Sequence, residues 1–194
     1  LGSGMRDGEL RVEGDAGRRA AAGLAGGSVV ITGDAGEEAG SGMCGGRLTI
    51  DGDAGARLGG PTTGATQGMS GGAILVRGSA GARAGERLRR GTIVIAGDCG
   101  NDAGVNMIAG TLAVIGTAGR MTGSGMRRGT ILLSRPPASL PVTFADNGVQ
   151  DLTFLALLLR EIATMTDIGP WAAACPAHRL LGDLADGGMG AILL

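Results

Sequence analysis

The sequence predicts an all-β solenoid: a right-handed parallel β-helix of about seven 19-residue coils, with a C-terminal strand and helix cap. The first observation behind this prediction is a repeat of Gly, two aliphatic residues at alternate positions, and usually Gly-Asp/Ser/Thr-Ala/Cys-Gly. Its copies begin at Gly8, Gly27, Gly46, Gly72, Gly91, Gly110 and Gly129. Successive copies start 19 residues apart, except for one interval of 26. A fixed period near 20 indicates one structural unit stacked on copies of itself.

The second observation is the alternation of apolar and polar residues inside each copy, as in Glu9–Glu13. This period of two predicts one strand per copy, with aliphatic side chains facing inward. Because all the strands run the same way, coiling pairs them in parallel. Two inward aliphatic columns begin at Leu10 and Val12, and a third, mostly Met and Leu, begins at Met5. The right-handed sense is an expectation that the repeat does not itself determine.

The predicted β-helix spans residues 1–134. Its first residues, Gly2–Gly8, match the second half of a repeat such as Gly40–Gly46, so we expect N-terminal coils to be missing from this chain. The 26-residue interval holds seven extra residues around Pro61–Gln67, which predict a surface loop. Insertions in solenoids often mark a contact face. A loop without a role is an equal alternative.

The repeat ends at Ser134, because the prolines that follow cannot donate to a strand ladder. Residues 135–194 are predicted to be a capping segment with a helix from about 151 to 165. Leu155, Leu158, Leu159 and Ile162 form the apolar face of this helix. We expect the segment to pack on the rod and close its C-terminal end.

Composition limits the possible functions. Seventeen basic residues, all Arg, face 18 acids, so the chain lacks the electrostatic footprint of a nucleic-acid-binding protein. No apolar run is long enough for a membrane span, and no signal peptide is visible, so a cytoplasmic protein is expected. Cys44, Cys99 and Cys175 match no metal motif, and His178 is the single histidine. We therefore predict no catalytic residue and no metal site.

A column of mostly acidic residues recurs at one corner of the repeat. It contains Asp15, Asp34, Asp53, Ser79, Asp98 and Thr117. One interpretation is a stack of carboxylates, which predicts a cation site. The other is that each side chain accepts a backbone N–H bond in its turn. The Ser and Thr in the column favour the second interpretation.

Arginines cluster in adjoining coils. The predicted patch contains Arg87, Arg89, Arg90, Arg127 and Arg128. Arg forms paired hydrogen bonds to carboxylates and phosphates, so the patch is a candidate anion-binding site. The alternative is a solvated face with local ion pairs to Glu86 and Asp102.

The repeat, with its Gly-Asp-Ala-Gly ending at 19-residue spacing, resembles the GXGXG domain over Gly2–Ser134. That domain is the C-terminal β-helix of the glutamate synthase large subunit. It is also the body of the β-helical subunit of formylmethanofuran dehydrogenase. The tail is similar to the closing segment of that dehydrogenase subunit, in Phe154–Arg160, Gly182–Leu184 and Gly187–Leu193. Met189 and Ala191 stand where that family has Lys and Glu.

The resemblance implies a non-catalytic, β-helical subunit of a formyltransferase/hydrolase complex in tetrahydromethanopterin-linked one-carbon metabolism, the route of formaldehyde oxidation. The expected partners are an amidohydrolase-like subunit, a formyltransferase subunit and a dehydrogenase-like subunit. No cofactor is expected on this chain, whereas the complex would use a methanofuran-type carrier. The arginine patch would then guide the acidic polyglutamyl tail of that carrier.

Two alternatives stay open. One is the GXGXG domain of a glutamate synthase, within a much longer polypeptide. The other is a stand-alone surface or ice-binding β-helix, suggested by the outward column Thr92, Thr111 and Thr130. An ice-binding face needs two adjacent Thr columns, and here the neighbouring outward residues are Val94, Ala113 and Leu132.

Overall fold

A computed structural model describes residues 1–165 and 176–194, and it contains the predicted stack of parallel strands. The seven stacked strands are β1 (Glu9–Val12), β2 (Ser28–Ile31), β3 (Cys44–Ile50), β4 (Ser70–Val76), β5 (Arg90–Ile95), β6 (Thr111–Val114) and β7 (Thr130–Leu133). Each pairs in parallel with the next, and Leu10 lies beside Val29 as the repeat requires. The parallel β-solenoid of about seven turns is confirmed. Its right-handed sense stays a prediction.

We call each strand, with the residues up to the next strand, a coil, numbered by its strand. Leu48, Ile74 and Ile93 of the first inward column are buried, as are Met43 and Met69 of the methionine column. A second parallel ladder of isolated bridges joins Ala16, Ala35, Ala54, Ala80, Cys99 and Ala118. The rod is therefore filled by aliphatic side chains and closed on a second side by small ones.

One corner of the coils has a conformation that the repeat did not predict. Non-glycine residues there adopt the left-handed region, with φ between 58° and 61°. They are Arg19, Glu38, Arg57, Arg83, Asp102 and Met121. This backbone lets each N–H point along the rod, as when Arg19 donates to the carbonyl of Glu37 in the next coil. The inter-coil hydrogen bonds offset the cost of a positive φ.

The C-terminal end is closed by strands. After β8 (Ala145–Gln150) and α1 (Thr153–Met165), the described chain continues with β9 (Ala177–Gly182), a 3-10 turn (Leu184–Asp186) and β10 (Gly190–Leu193). The sheet order is β1 to β7, then β10, β9 and β8, with β10 parallel to β7 and the last two pairs antiparallel. Ile192 stacks on Ile131 and extends the inward column.

Helix α1 packs on the outer face of the sheet rather than over its end. Leu155 and Ile162 are buried in a second apolar cluster with outward residues of four strands, Leu75, Val94, Ala113 and Leu132. As expected, the capping segment packs on the rod and closes its end. Strands β10, β9 and β8 close the end, whereas α1 packs on the outer face of the sheet. The boundary at residue 134 stays a prediction, and Trp171 and Cys175 lie outside the described residues. Within the described chain, no helix has the length and apolar character needed to cross a membrane.

Candidate functional site: an arginine-lined cleft

The seven-residue insertion forms a loop on the surface of coil 3, and arginines hold it from both sides. Residues 63–67 are exposed. On one side, Arg19 donates to the hydroxyl of Thr63. On the other, Arg89 Nη1 donates to Gln67 Oε1 at 2.7 Å. The loop therefore spans from coil 1 to coil 4.

A cleft of about 360 Å³ lies beside this loop. Its lining consists of Thr66, Gln67, Arg87, Asn106, Ile108, Gly125 and Arg127. The loop forms one wall, and residues of coils 4, 5 and 6 form the remainder. Small-molecule sites have volumes of roughly 300–1,000 Å³, so the cleft falls at the lower end of that range.

The backbone of successive coils positions the residues at the base of the cleft. Arg87, Asn106 and Gly125 occupy the same corner in three coils, with φ of 51°, 54° and 69°. Arg87 donates its N–H to the carbonyl of Val105, and Asn106 donates to that of Ser124. Gly23 and Gly42 occupy this corner in coils 1 and 2, so of the residues named here only Arg87 and Asn106, in coils 4 and 5, carry side chains.

The structure brings two of the five predicted arginines together in the cleft. Arg87 and Arg127 line it. Arg89 lies beside it but is bonded to Gln67. Arg90 and Arg128 are exposed and do not belong to the lining.

The side chains that line the cleft determine its charge. No described acidic residue contributes to the lining. Glu86 was a candidate ion-pair partner for the arginine patch. It is buried and pairs instead with Arg83, 3.0 Å away, and with Arg57. The two arginines thus give the cleft a net positive charge.

The capping segment fixes the coil at the far side of the cleft through Asp183. Burial disfavours the charged carboxylate, but the hydroxyl of Thr143 and the N–H groups of Gly125 and Ala185 outweigh burial and lower the pKa of Asp183 below its ordinary value. The N–H of Gly125 lies 3.0 Å from Oδ2. In the same region, Met189 donates its N–H to the carbonyl of Arg127 at 2.7 Å. An ionised, buried carboxylate therefore positions the backbone beside Arg127.

A family described as the GXGXG motif matches residues 2–150 of the chain. The chain belongs to the GXGXG family. It is also similar to a chain in the X-ray crystal structure of the formyltransferase/hydrolase complex (FhcABCD) from Methylorubrum extorquens in complex with methylofuran. The two are 39% identical with a TM-score of 0.94, over 100% of this chain and 72% of that one. A comparison with curated proteins finds no match.

The aspartate column of the GXGXG coils has a structural role. Asp15 Oδ1 accepts the N–H of Asp34 at 2.9 Å, and Asp34 Oδ1 accepts that of Asp53 at 2.8 Å. The bonds continue through Ser79 and Asp98 as far as Thr117. The second interpretation, that these side chains accept backbone N–H bonds, is therefore right about the acceptors, but each bond comes from the next coil and not from the residue's own turn. Among the described residues, no cluster of His, Cys, Asp or Glu is suited to hold a metal ion.

Among the described residues of this GXGXG chain, Cys99 and His178 have local structural roles. Cys99 is buried in the alanine ladder, and burial raises the pKa of its thiol to about 12. Cys44 is exposed. His178 Nε2 lies 2.6 Å from Asp146 Oδ1. This contact joins β9 to β8, and together with the N–H of Gly148 it lowers the pKa of Asp146.

Proposed function

We propose that this protein is a non-catalytic, structural subunit of a formyltransferase/hydrolase complex of the FhcABCD type, acting in tetrahydromethanopterin-linked one-carbon metabolism. The observation that carries the proposal is the 39% identity to a chain of that complex over the whole length of this chain. The similarity includes the capping segment as well as the coils. A complex of this type would use a methanofuran-type carrier, since the solved complex holds methylofuran.

The interactions of the buried polar groups support a structural role. Glu38 and Glu86 pair with arginines of neighbouring coils. Asp183 accepts backbone N–H groups, and burial keeps the Cys99 thiol in its protonated, unreactive form. The carboxylates of Glu38, Glu86 and Asp183 therefore hold coils and the capping segment together. The chemistry is therefore assigned to partners: an amidohydrolase-like, a formyltransferase and a dehydrogenase-like subunit.

The two alternatives are less well supported. A glutamate synthase domain would account for the GXGXG coils, but the similarity to the formyltransferase/hydrolase chain continues through β8, β9 and β10. An ice-binding face would need an open outer sheet. Helix α1 instead covers that face, with Leu155 packed in the cluster that contains Val94 and Ala113.

Copurification tests the proposal. The chain is tagged in its native host at its own locus, purified at low salt, and its partners are identified by mass spectrometry. The expected result is stoichiometric recovery of hydrolase and formyltransferase subunits, with formyl-transfer activity in the same fraction. An unrelated host protein with the same tag is the control. Recovery of the chain alone, or as part of a glutamate synthase polypeptide, contradicts the proposal.

A further inference from the structure

We propose that Asn147 and Gly148, in the outermost strand β8, form a site of spontaneous succinimide formation, which the carboxylate of Asp146 restrains. The product is a chain that carries aspartate or isoaspartate at position 147. The proposal concerns the chemistry of the chain itself, so it holds whether or not the chain is a subunit of a formyltransferase/hydrolase complex. Water is the only other reactant.

The reaction joins the side chain of Asn147 to the backbone that follows it. Once the Gly148 N–H has given its proton to solvent, the nitrogen bonds to Cγ of Asn147. The bond between Cγ and Nδ2 breaks, and the amide nitrogen takes a proton from water and leaves as ammonia. Water then opens the five-membered imide at one of its two carbonyl carbons, which yields aspartate or isoaspartate without any oxidation or reduction.

The first argument is the residue that follows the asparagine. The chain has three asparagines, Asn101, Asn106 and Asn147, and only Asn147 precedes a glycine. The other two precede an aspartate and a buried methionine. A side chain on the following residue hinders attack by its nitrogen, whereas glycine has no Cβ and leaves that approach open.

The second argument is the irregular backbone at this pair. Asp146 lies opposite Leu180, and Val149 lies opposite His178, so two residues of β8 face a single residue of β9. Such a bulge disrupts the ladder of hydrogen bonds locally. Asn147 is exposed, and the following glycine has a φ of 67°. No atom of the described chain, apart from the sequence neighbours, lies within 4 Å of the Cβ position of that glycine, so the bulge leaves room for the ring to close.

The third argument is that the reacting side chain is not held. In the described parts of the chain, no hydrogen bond involves the side-chain amide of Asn147. Asn101 differs, because its Oδ1 accepts the N–H of Arg120 at 2.9 Å, which holds the amide against the next coil. Asn147 therefore has the freedom to turn toward the backbone nitrogen, and Asn101 does not.

Strand β8 also carries the group that slows the reaction. Asp146 Oδ1 accepts the N–H of Gly148 at 2.8 Å, and His178 Nε2 lies 2.6 Å from the same oxygen. An ionised acceptor stabilises the N–H and disfavours the nitrogen anion that must form before the attack. We assign Asp146 the restraint, and His178 the role of a positioning residue that keeps the carboxylate in place.

Either product should weaken the closure of the rod. Aspartate at position 147 adds a negative charge directly beside Asp146. Isoaspartate adds a methylene group to the main chain, which shifts Val149 and Gln150 away from their partners in β9. Because β8 is the last strand of the sheet, the disturbance should be confined to the cap and leave the stacked coils intact.

Incubation of the purified full chain at mildly alkaline pH tests the proposal, with peptide mass spectrometry to quantify amide loss at each asparagine. Methylation by an isoaspartyl methyltransferase distinguishes isoaspartate from aspartate. The unsubstituted chain should lose the amide of Asn147 faster than that of Asn101, the internal control. Asp146→Ala should accelerate the loss at Asn147 by about three- to tenfold, a range typical of an exposed hydrogen bond to a charged group. Glu161→Ala removes an exposed carboxylate of α1 instead and should leave the rate unchanged.

Two further measurements separate restraint from loss of structure. His178→Ala keeps the acceptor of the Gly148 N–H, so it should accelerate the reaction less than Asp146→Ala does. The chain unfolded in guanidinium chloride gives the unrestrained rate. The proposal is overturned if Asn147 keeps its amide, or if Asp146→Ala reacts no faster than the unsubstituted chain or Glu161→Ala. It is also overturned if Asp146→Ala matches His178→Ala or the unfolded chain, because the variant would then have lost the pairing of β8 rather than a restraining charge.

Discussion

Arg57 lies between two buried carboxylates of neighbouring coils: its Nε is 3.2 Å from Oε2 of Glu86, and its Nη1 is 3.5 Å from Oε1 of Glu38. Glu38 also accepts from Arg18 Nη2 and Arg19 Nε, both at 2.7 Å. Opposite charges thus alternate along the rod from coil 1 to coil 4. These pairs join coils that are also held together by backbone bonds, by the aspartate column and by the core.

Replacing Glu38 by Gln should destabilise the protein by about 1–2 kcal/mol. Glu38 is 4% exposed, and the change leaves three guanidinium groups without their shared anion. The arginine side chains are 38–61% exposed and can turn to water, which limits the loss. Denaturant unfolding measures the effect. The matched control is Glu37→Gln, an exposed neighbour expected to be neutral; equal losses in the two variants would contradict the assignment.

The ion pairs of Glu38 with Arg18 and Arg19 also predict that the stability of the protein depends on pH. Hydrogen bonds from Arg19 and Arg18 outweigh the effect of burial and lower the pKa of Glu38 below its ordinary value of about 4.5. A lowered folded-state pKa stabilises the protein above the unfolded-state pKa, and the contribution disappears as pH falls through the folded-state value. The Tm of the unsubstituted chain should therefore fall more steeply below about pH 5 than that of Glu38→Gln. If the curves of Tm against pH are parallel for the two proteins, folding does not change the pKa of Glu38, and the prediction is wrong.

Much of the rod could be predicted from the sequence because its determinants are local. The alternation at Leu10 and Val12 sets the inward face, and the fixed period sets the register. The ion pairs of Arg57 with Glu38 and Glu86 could not be predicted, because they depend on the left-handed backbone of Glu38 and Arg57. Charged residues near a corner otherwise resemble solvated loop residues.

The candidate site was predicted in part. Column positions place Arg87 and Arg127 on one side of the rod, as the structure has them. The bond between Arg89 and Gln67 depends on the conformation of an irregular loop, which sequence spacing does not determine. The packing of α1 could not be predicted either. The sequence shows that Val94 is apolar and faces outward, but Leu155, which packs in the same cluster, lies 61 residues later in a segment without repeats.

The packing of α1 predicts contrasting effects for two leucines of that helix. Leu155 is 2% exposed in the second cluster, and Leu157 is 69% exposed. Leu155→Ala should lower the free energy of unfolding by about 2–4 kcal/mol, because it removes buried surface and leaves a cavity. Leu157→Ala should change it by less than about 0.5 kcal/mol in the isolated chain. Thermal or denaturant unfolding measures both variants. If their free energies of unfolding fall by similar amounts, α1 does not pack on the sheet through Leu155.

The glycine that follows the alanine ladder is required by close packing between coils rather than by φ. A Cβ on Gly81 would lie 2.7 Å from the backbone N of Ala56 in the preceding coil, closer than such contacts allow. Gly81→Ala should therefore force the coils apart and cost about 3 kcal/mol. In the same coil, Gly85 has a φ of 70°, and a Cβ there would be in ordinary van der Waals contact, 3.5 Å from Leu112 Cδ2.

The equivalent residue in coil 1 is Ala21, with a φ of 55°, so Gly85→Ala should cost only about 1 kcal/mol. Midpoints of denaturant unfolding compare the two variants directly. If Gly85→Ala proves the more damaging, backbone conformation and not the approach of neighbouring coils limits this repeat. A larger loss for Gly81→Ala, the expected result, would show that the spacing of about 4.8 Å between coils is what excludes a side chain at Gly81.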